Sequence, residues 1–460
     1  MAELELEEPW ERIKVLLDSG DRRQLQEYLD AVPGGEAARA MTFLAEEDRQ
    51  RLLLLLEPED AADFIEELAD AHGADIVEDL PTEQAAAIVD EMESHHRADL
   101  LAEMDEEDAE AILQHMDPEE AADARLLLQY DENTAGGIMA TEFVAFPQDT
   151  RVADVLKELQ AHAEEYSDAG IQYVYVNSEN GRLIGVVRLR DLVLAGPQRR
   201  LREIMISNPI YVLDSTPLNE LLQLFDRYSF WVVPVTNEDG VMVGVVREAD
   251  AEEAQGEEQE KVFLRYSGII GGEELRTMPL SERAPRRLAW LSLNVVLSLV
   301  SASVVLWFEG TIARIFALVF FMPVINNLSG CSGNQAVAVS IRELTLGLIQ
   351  PEDFMRVWRK EVALGLVNGL AIGGMLGVFA FAMEYLFWND SPYFGLVIGT
   401  AFALNTLVAV SLGGLIPLVL RMLNADPALG APPILTTLTD MFGLLFLLSI
   451  ASGAMRLGWL

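Results

Sequence analysis

The amino-acid sequence predicts a multidomain membrane protein in which two soluble regions, one α-helical and one α/β, precede a bundle of membrane-spanning helices. Three observations predict this order. An apolar residue recurs every twelve positions in the first 130 residues, a strand-turn-strand-helix pattern then occurs twice, and residues 286–460 form a run of apolar segments. The soluble parts therefore come first along the chain and the membrane part last.

The composition is strongly acidic. The chain carries 74 Asp and Glu against 32 Lys and Arg, which gives a formal net charge of -42. Such a charge argues against a nucleic-acid partner and favours cations, with a divalent metal ion as the expected partner. Roughly half of the carboxylates lie in residues 1–130, where a solvated helical surface is the alternative interpretation for any single acid. Residues 1–8 lack the basic and apolar regions of a cleaved signal peptide, so we expect a cytosolic N-terminus.

Residues 1–130 are predicted to form a superhelical solenoid of short α-helices. Pro58 and Pro118 are each followed by two acidic residues, a pattern that is typical of a helix start. Pro is favoured in the first helical turn, and acidic side chains there interact favourably with the helix dipole. Each unit is too short to bury its own apolar face, so the units must stack on one another. The repeating apolar positions are Leu56, Leu68, Leu80, Met92, Met104 and Met116.

Residues 131–200 and 201–254 repeat one α/β pattern. Apolar strands flank Asn180-Gly181 in the first copy and Asp239-Gly240 in the second, and both dipeptides are strong hairpin signals. The amphipathic helices that precede the two hairpins are predicted at 152–163 and 218–228. The two copies resemble a tandem pair of CBS domains. That resemblance implies two halves that pack together, association with a second copy of the chain, and regulatory binding of a metal ion or of ATP or another adenine nucleotide.

The membrane part, residues 286–460, is predicted to cross the bilayer five times. Each predicted span is near the roughly 20 apolar residues needed to cross a hydrocarbon core. The spans are 288–307, 315–341, 362–387, 393–420 and 434–455. Basic residues precede the first span, surround the loop between the second and third, and follow the fourth: Arg283, Arg286, Arg287, Arg342, Arg356, Arg359, Lys360 and Arg421. The positive-inside rule then predicts a cytoplasmic N-terminus with both soluble regions inside, and a C-terminus outside the inner (plasma) membrane.

The last span carries one carboxylate, Asp440. An ionisable group at that depth costs about 2.5–3.5 kcal/mol to insert, so it usually marks a path for ions or protons. Thr436 and Thr437 precede Asp440 by four and three residues and therefore share its helical face. Carboxylate and hydroxyl oxygens suit a hard, hydrated cation such as Mg²⁺, and a two-fold homodimer would bring two such carboxylates to one axis. The alternative is a protonated Asp440 that hydrogen-bonds between helices for structure.

The second span is the other polar stretch of the membrane part. Pro323 and closely spaced glycines are predicted to break the helix, so that freed carbonyls and Asn side chains line water where protein shields them from lipid. The candidate pore residues of this span are Gly330, Cys331, Gly333, Asn334 and Gln335. Cys331 carries a soft thiol that either favours Co²⁺ or another transition metal in the path or simply fills space.

This order of parts resembles the MgtE family of magnesium channels over essentially the whole chain. Tyr130 with Ala135-Gly136-Gly137-Ile138-Met139 is similar to the family's link into its first CBS half, and Asp426-Pro427-Ala428 with Pro433 and Asp440 is similar to its fifth-span signature. The resemblance implies Mg²⁺ uptake through a pore at a dimer axis, lined by the second and fifth spans, with Asp440 as the selectivity carboxylate. This chain departs from the family's second-span pattern at Ser329 and Cys331.

The resemblance also implies regulation by cytosolic Mg²⁺, which would bridge acids of the soluble parts and press a connecting helix onto the pore. Residues 255–285 form the linker that holds this helix, with Gly256, Ser267-Gly268 and Gly271-Gly272 as predicted breaks and 277–287 as the connecting helix. The candidate regulatory ligands, by analogy, are Asp99, Glu103, Asp105, Asp250 and Glu253. Ser229 and Ala249 replace two acids that are usual in the family, so either Glu257 and Glu258 contribute or regulation is blunted.

Three alternatives to a Mg²⁺ channel stay open at the level of sequence. The path suits other divalent cations such as Co²⁺ if Cys331 faces it. An ion-coupled secondary carrier would also need an intramembrane Asp, although the spans show no obvious inverted repeat. A non-transporting sensor would keep the CBS pair but would not need Asp440. An enzyme is disfavoured because the sequence shows no evident nucleophile and base pair, phosphate loop or catalytic metal cluster.

Overall fold

A computed structural model of the chain describes residues 9–29, 31–32, 36, 40–41, 43–162, 171–269, 280–388 and 391–460, without the side chains of residues 282 and 388. These residues fall into two compact units, Met1–Glu257 and Glu258–Leu460. The predicted connecting helix at 277–287 lies partly outside the described residues, which also omit Gly271-Gly272. The two units are described separately.

The first unit begins with a stack of short helices. Their bounds are Pro9–Ser19, Arg22–Leu29, Glu46–Leu55, Pro58–Glu66, Asp70–Glu78, Thr82–Glu91, Ser94–Glu103, Glu106–Leu113 and Pro118–Leu127. From Glu46 onward each helix packs against the next helix but one, which is the repeating arrangement of a superhelical domain. The residues of the twelve-residue repeat are buried at the helix ends, because each one closes a helix and turns its side chain into the shared core.

The α/β part of the first unit contains two small sheets. In the first sheet β1 (Ala145–Pro147), β2 (Tyr173–Asn177), β3 (Leu183–Arg188) and β4 (Ile206–Ser207) lie in that order, and in the second β5 (Val212–Leu213), β6 (Val232–Thr236) and β7 (Met242–Arg247) do so. Each sheet combines one parallel pair with an antiparallel hairpin, β2–β3 or β6–β7. Gly181 and Gly240 have φ of +76° and +77° in the hairpin turns, which explains why glycine occupies both positions. The two helices before the hairpins are Val152–Ala161 and Leu218–Tyr228.

A long helix, Glu248–Tyr266, follows the last strand directly. The predicted break at Gly256 is wrong, because this glycine lies inside the helix among Ala, Glu and Gln residues that favour helix and offset a glycine penalty of about 1 kcal/mol. The predicted break at Ser267-Gly268 is found: the helix ends at Tyr266, and Gly268 has φ of +81°.

The second unit is a bundle of long apolar helices. The principal helices are Leu280–Ala302, Ala317–Thr345, Phe354–Met383, Phe394–Met422 and Pro427–Arg456, with shorter helices at Val304–Trp307 and Glu309–Arg314. Among the described residues, four segments are long and apolar enough to cross a membrane: Arg283–Trp307, Pro351–Phe387, Phe394–Met422 and Pro427–Arg456. The helix Ala317–Thr345, which covers most of the predicted second span at 315–341, has 29 residues and would span about 44 Å, but its polar residues lower its hydropathy. The count of five spans therefore stays a prediction.

Glycines bring the third and fourth spans into close contact. Gly373 and Gly377 face Gly399 and Gly395, and a Cβ atom added to Gly373 would lie 2.7 Å from the Gly399 carbonyl oxygen. Glycine at every fourth position of one helix places the glycines on one face, where they let two helix backbones approach closely. The fourth-span helix also packs against the second- and fifth-span helices.

Candidate ion pathway and regulatory acids

Asp440 lies midway along the fifth-span helix, Pro427–Arg456. The helix begins at Asp426, whose carboxylate accepts hydrogen bonds from the N–H groups of Ala428 and Leu429 at 2.7 and 3.3 Å. This cap satisfies donors that a helix terminus leaves open. The Asp440 carboxylate is half-buried, and no hydrogen bond or ion pair joins it to another described residue. A carboxylate without such a partner in an apolar helix is available to a cation or to water.

Two threonines were predicted to share the face of Asp440. Thr436 is exposed, and the half-buried Thr437 donates its hydroxyl proton to the Pro433 carbonyl at 2.7 Å. Thr439, which the sequence did not single out, is fully buried and donates to the Thr436 carbonyl at 3.0 Å. Both bonded hydroxyls keep their oxygen lone pairs. Thr436 is thus the more accessible of the two predicted hydroxyls near Asp440.

The second-span segment forms one continuous helix, Ala317–Thr345, so the predicted break is wrong. Pro323 is accommodated near the start of the helix, and Gly330 and Gly333 both lie inside it without opening the backbone. A Cβ atom added to Gly333 would lie 3.0 Å from both the Ala409 carbonyl oxygen and a methyl group of Leu435. Glycine at position 333 therefore allows close packing against the fourth and fifth spans.

The predicted pore residues divide between the surface and the core of the second unit. Cys331 and Gln335 are exposed, whereas Gly330 and Asn334 are half-buried and Gly333 is buried. The amide oxygen of Asn334 is buried and has no hydrogen-bond donor within the described part of the chain. Polar side chains are thus present on the outer side of this helix, where contact with lipid would be costly.

A second group of amides, which the sequence did not place together, lies deeper in the bundle. Asn405 is fully buried, and neither atom of its amide group has a hydrogen-bond partner among the described residues. The side-chain oxygen of Asn326 also lacks a described partner. Both side chains lie against Gly443, since a Cβ atom there would collide with Asn326 and lie 2.7 Å from Asn405 Nδ2. The fifth span requires glycine at this position to admit the two amides.

The end of the helix Glu248–Tyr266 contacts the second and fifth spans within the second unit. The Tyr266 hydroxyl donates to the backbone carbonyl of Asn334 at 3.3 Å. A guanidinium nitrogen of Arg265 lies 3.7 Å from a carboxylate oxygen of Asp426. Tyr266 and Val262 also pack against a buried apolar cluster formed by Val337, Ile341, Ile416, Ala428, Ala431 and Leu435. This helix therefore contacts the candidate pore helices, a role that the sequence assigned to the predicted helix at 277–287.

In the first unit, Arg247 joins two carboxylates from distant parts of the chain. Its Nε donates to Asp250 at 2.8 Å, and its terminal nitrogens donate to both oxygens of Glu93, one of them at 3.1 Å. Burial raises the pKa of Asp250, which is 7% exposed, and the paired guanidinium offsets part of that rise. Asp250, a predicted regulatory ligand, is thus already paired with the Arg247 guanidinium.

The other predicted regulatory acids occupy separate places. Glu103 and Asp105 are exposed at the end of one helix and the start of the next, and Asp99 is half-buried on the first of these helices. Along Glu248–Tyr266, Glu253 is exposed and Glu257 and Glu258 are half-buried. The sequence contained a local signal for the Arg247–Asp250 pair, because the two residues are three apart at a helix start. It contained none for Glu93, which lies 154 residues from Arg247.

Apolar membrane helices that follow a CBS pair and an acidic helical domain define a multi-pass membrane transport protein with a large soluble part. Comparison with known families agrees. Residues 322–450 match the MgtE divalent cation transporter family, residues 33–133 match the MgtE intracellular N domain, and residues 135–197 and 201–256 match CBS domains. The predicted fold class and family are confirmed, and this chain belongs to the MgtE family.

Two curated relatives carry the name magnesium transporter MgtE. The protein of Thermus thermophilus is 33% identical over 336 residues, which cover 72% of each chain. The protein of Bacillus subtilis is 28% identical over 441 residues, which cover 96% of each chain. Among solved structures, the soluble part of a magnesium transporter matches with a TM-score of 0.51 and 28% identity, covering 55% of this chain and 99% of the other.

Proposed function

We propose that this protein is a Mg²⁺ channel that mediates magnesium uptake across the plasma membrane and closes when cytosolic Mg²⁺ is plentiful. Membership of the MgtE family supports Mg²⁺ as the substrate, because the relatives are named magnesium transporters. The observation that carries the proposal is the half-buried Asp440 carboxylate, which has no partner among the described residues of an otherwise apolar helix. Such a carboxylate is costly unless an ion or water uses it.

The channel is proposed to be a homodimer with its pore at the two-fold axis. Cys331, Gln335 and Thr436 are exposed on the second and fifth spans, and polar groups on membrane helices need protein or water beside them. A second copy would cover these faces and would bring two Asp440 carboxylates to one path, with the charge needed for a divalent ion. Gly330, Gly333 and Asn334 would then belong to the pore wall, with Thr437 beside Asp440.

The decisive experiment is Mg²⁺ influx into proteoliposomes that contain wild-type protein or the Asp440→Asn variant. Loss of influx in Asp440→Asn is the expected result. The matched control is Glu352→Gln, which removes an exposed carboxylate from the loop before the third span and should leave influx unchanged. Undiminished influx in Asp440→Asn would contradict the assignment of Asp440 to the path. Influx without a proton or sodium gradient distinguishes a channel from an ion-coupled secondary carrier.

Gating is proposed to act through the helix Glu248–Tyr266. Its last turn is hydrogen-bonded to Asn334 and lies beside Asp426, so a movement of this helix displaces the cytoplasmic ends of both proposed pore helices. Mg²⁺ bound between acids of the soluble parts would favour the arrangement in which this helix is pressed onto the pore. The proposed regulatory ligands are Asp99, Glu103, Asp105, Glu253, Glu257 and Glu258, with Asp250 available only if Arg247 releases it.

The remaining assignments follow the same scheme. Residues 1–130 form the helical domain, 131–200 and 201–254 the two CBS domains, 255–285 the linker and 286–460 the pore domain. The soluble parts are proposed to be cytoplasmic, with the C-terminus outside. Binding of ATP or another adenine nucleotide to the CBS pair is proposed from its family, and titration calorimetry of the whole protein with ATP tests it. The absence of heat at millimolar ATP would contradict it.

Transport of another divalent cation, Co²⁺ in particular, is the second candidate function. It is favoured by the exposed thiol of Cys331, which follows Gly330 on the second span. Thiolate ligands select softer metals than Mg²⁺. Competition of Co²⁺ and Ca²⁺ with Mg²⁺ influx in the same proteoliposomes separates the two functions.

A further inference from the structure

The helix Ser94–Glu103 of the soluble part begins with three side chains that can bind a metal ion together. A carboxylate oxygen of Glu93 and one ring nitrogen each from His95 and His96 lie within 4.8 Å of one another. The two imidazole rings lie side by side, with their centroids 4.0 Å apart. Both histidines are therefore directed to the same region as the carboxylate.

His95 is the unusual member of this group. Its side chain is 5% exposed, and neither of its ring nitrogens has a hydrogen-bond partner among the described residues. A buried imidazole normally has one ring nitrogen donating and the other accepting. Burial, together with His96 and Arg247, lowers the pKa of His95 well below its usual value. A metal ion would satisfy one of the two unpartnered nitrogens.

The spacing agrees with a metal of ordinary size. His95 Nδ1 lies 3.6 Å from Glu93 Oε2. Ligands at about 2.1 Å from a tetrahedral ion are about 3.4 Å apart, so these two atoms are already close to the required separation. A ring nitrogen of His96 lies within 4.8 Å of both atoms, so it can serve as the third protein ligand.

The charge around the group also favours a cation. Glu93 lines a cavity of about 490 Å³ whose walls carry the carboxylates of Glu59, Asp63, Glu66, Asp90, Glu91, Glu93, Glu120 and Glu142 against the guanidiniums of Arg97 and Arg247. The cavity therefore provides an acidic approach to the Glu93 carboxylate.

We propose that Glu93, His95 and His96 form a site for a first-row transition-metal ion, such as Zn²⁺ or Co²⁺, that is separate from the Mg²⁺ path. Two imidazoles and one carboxylate suit such ions, whereas Mg²⁺ prefers oxygen ligands alone. Because Arg247 holds the same Glu93 carboxylate, metal binding competes with the ion pair between the helical domain and the second CBS domain. The site would therefore let a transition metal alter the joint between these two domains.

The test is Co²⁺ binding to the full chain, purified in detergent without a histidine tag and stripped of metal with a chelator. Equilibrium dialysis gives the number of bound ions, and the visible absorption of Co²⁺ reports nitrogen ligation. Millimolar Mg²⁺ is present to fill oxygen-only sites, and all proteins carry Cys331→Ser and Asp440→Asn to remove metal binding at the proposed pore.

We expect the parent to bind one Co²⁺ per chain with nitrogen ligation, and His96→Ala to lose that ion or bind it at least tenfold more weakly. His115→Ala is the matched control, since His115 is exposed in the same domain and its Nδ1 contacts the Ala111 carbonyl, and it should bind as the parent does. His96 is half-buried, so this variant is less disruptive than a change at His95. Equal binding by the parent and His96→Ala, or no binding by the parent, would overturn the proposal.

A variant that should strengthen metal binding tests whether Arg247 and the metal ion compete for Glu93. Arg247→Gln removes the cation that holds Glu93 and is expected to tighten Co²⁺ binding several-fold. Unchanged or weaker binding in a folded Arg247→Gln protein would show that the ion pair and the metal do not compete for Glu93.

Discussion

The hydroxyl of Tyr266 donates a hydrogen bond of 3.3 Å to the backbone carbonyl of Asn334, which joins the last turn of the helix Glu248–Tyr266 to the helix Ala317–Thr345 within the second unit. The acceptor is a main-chain atom inside a helix, so it cannot turn away when the donor moves. Displacement of Tyr266 must therefore either break the bond or move the second span. Arg265, the preceding residue, lies beside the residue that caps the fifth span.

Tyr266→Phe should weaken closure of the pore. It removes one hydrogen bond worth about 0.5–1.5 kcal/mol but keeps the ring in its apolar contacts. If the docked helix is the closed arrangement, the Mg²⁺ concentration that halves influx should rise roughly two- to tenfold. Proteoliposome influx at graded Mg²⁺ on the side of the soluble domains measures this. Tyr228→Phe, at an exposed ring in the second CBS domain, is the control, and an equal shift in both variants would contradict the role of Tyr266.

Cys331→Ser should change the choice between ions more than the rate for Mg²⁺. Replacement of a soft thiol by a hydroxyl removes a ligand that favours transition metals and retains an oxygen suited to Mg²⁺. We expect Co²⁺ to become a several-fold poorer competitor of Mg²⁺ influx, with Ca²⁺ competition unchanged as the internal control. An unaltered Co²⁺ competition curve would leave the thiol with a space-filling role.

Gly373→Ala should destabilise the membrane domain. The added methyl group would lie 2.7 Å from the Gly399 carbonyl oxygen, which is part of a helix backbone and has little room to move. Such overpacking lowers the free energy of unfolding by about 1–3 kcal/mol. Thermal unfolding in detergent measures the loss.

Gly374→Ala is the matched control for that change, because a Cβ atom there meets nothing within 4 Å. It should be neutral or stabilising by up to about 1 kcal/mol, since alanine is the better helix former. Equal losses at the two positions would show that helix contact is not the reason for glycine at Gly373.

Arg247→Gln should destabilise the soluble part, because it leaves the buried Asp250 carboxylate without its guanidinium. Removing one partner of a largely buried ion pair costs roughly 2–4 kcal/mol when one partner is partly exposed. Arg202→Gln is the control: its pair with Asp149 is about half exposed and should contribute about 1 kcal/mol or less. Denaturant unfolding of the full chain, monitored by hydrogen exchange in the strand Met242–Arg247, measures the loss of stability in both variants. A smaller loss for Arg247→Gln than for Arg202→Gln would refute this account.

The stability of the helical domain should fall as the pH drops below about 6.5. His72 is buried, and burial together with nearby Arg49 lowers its pKa below the usual 6.5. Between that lowered value and 6.5 the unfolded chain binds a proton that the folded chain does not. Stability from this group is therefore complete above 6.5 and falls with pH by up to about 1.4 kcal/mol per unit.

Hydrogen exchange in the helix Asp70–Glu78 from pH 7.5 to 5.5 measures that slope. His72→Gln should reduce the slope, since glutamine does not titrate and can still accept from Arg49, which lies 3.3 Å from His72 Nε2. The remaining slope is expected from His95, whose pKa is also lowered. The exposed His115→Gln variant should keep the slope of the parent. An unchanged slope in His72→Gln would assign the acid sensitivity to other groups.

The periodic features of this chain were predictable from sequence because short-range physics determines them. The twelve-residue repeat predicted the stacked helices, and Asn-Gly and Asp-Gly predicted the turns at Gly181 and Gly240. Breaks inside helices were less predictable. Gly256 and Gly333 both lie within helices, because neighbouring helix formers support the first and close helix packing accommodates the second. A glycine in the sequence does not reveal whether it serves flexibility or close approach.

The joint between Arg247 and Glu93 could not be predicted, since only the folded chain brings the two residues together. For the same reason the amides of Asn326 and Asn405 could not be placed beside Gly443 from the sequence. Asp440 was found because a lone charge in an apolar segment is conspicuous without any knowledge of its neighbours. Its partners in a second copy of the chain are still a prediction.

Arg247 is in effect a cation that cannot diffuse away. A dissolved ion between two acidic surfaces dissociates when the surrounding solution is depleted, whereas a tethered guanidinium stays charged and at a fixed local concentration. The ion pair between Glu93 and Arg247 of the second CBS domain therefore forms without a dissolved ion. A free metal ion that binds Glu93 must displace the Arg247 guanidinium. The strength of this one ion pair therefore sets the metal concentration at which the proposed site fills.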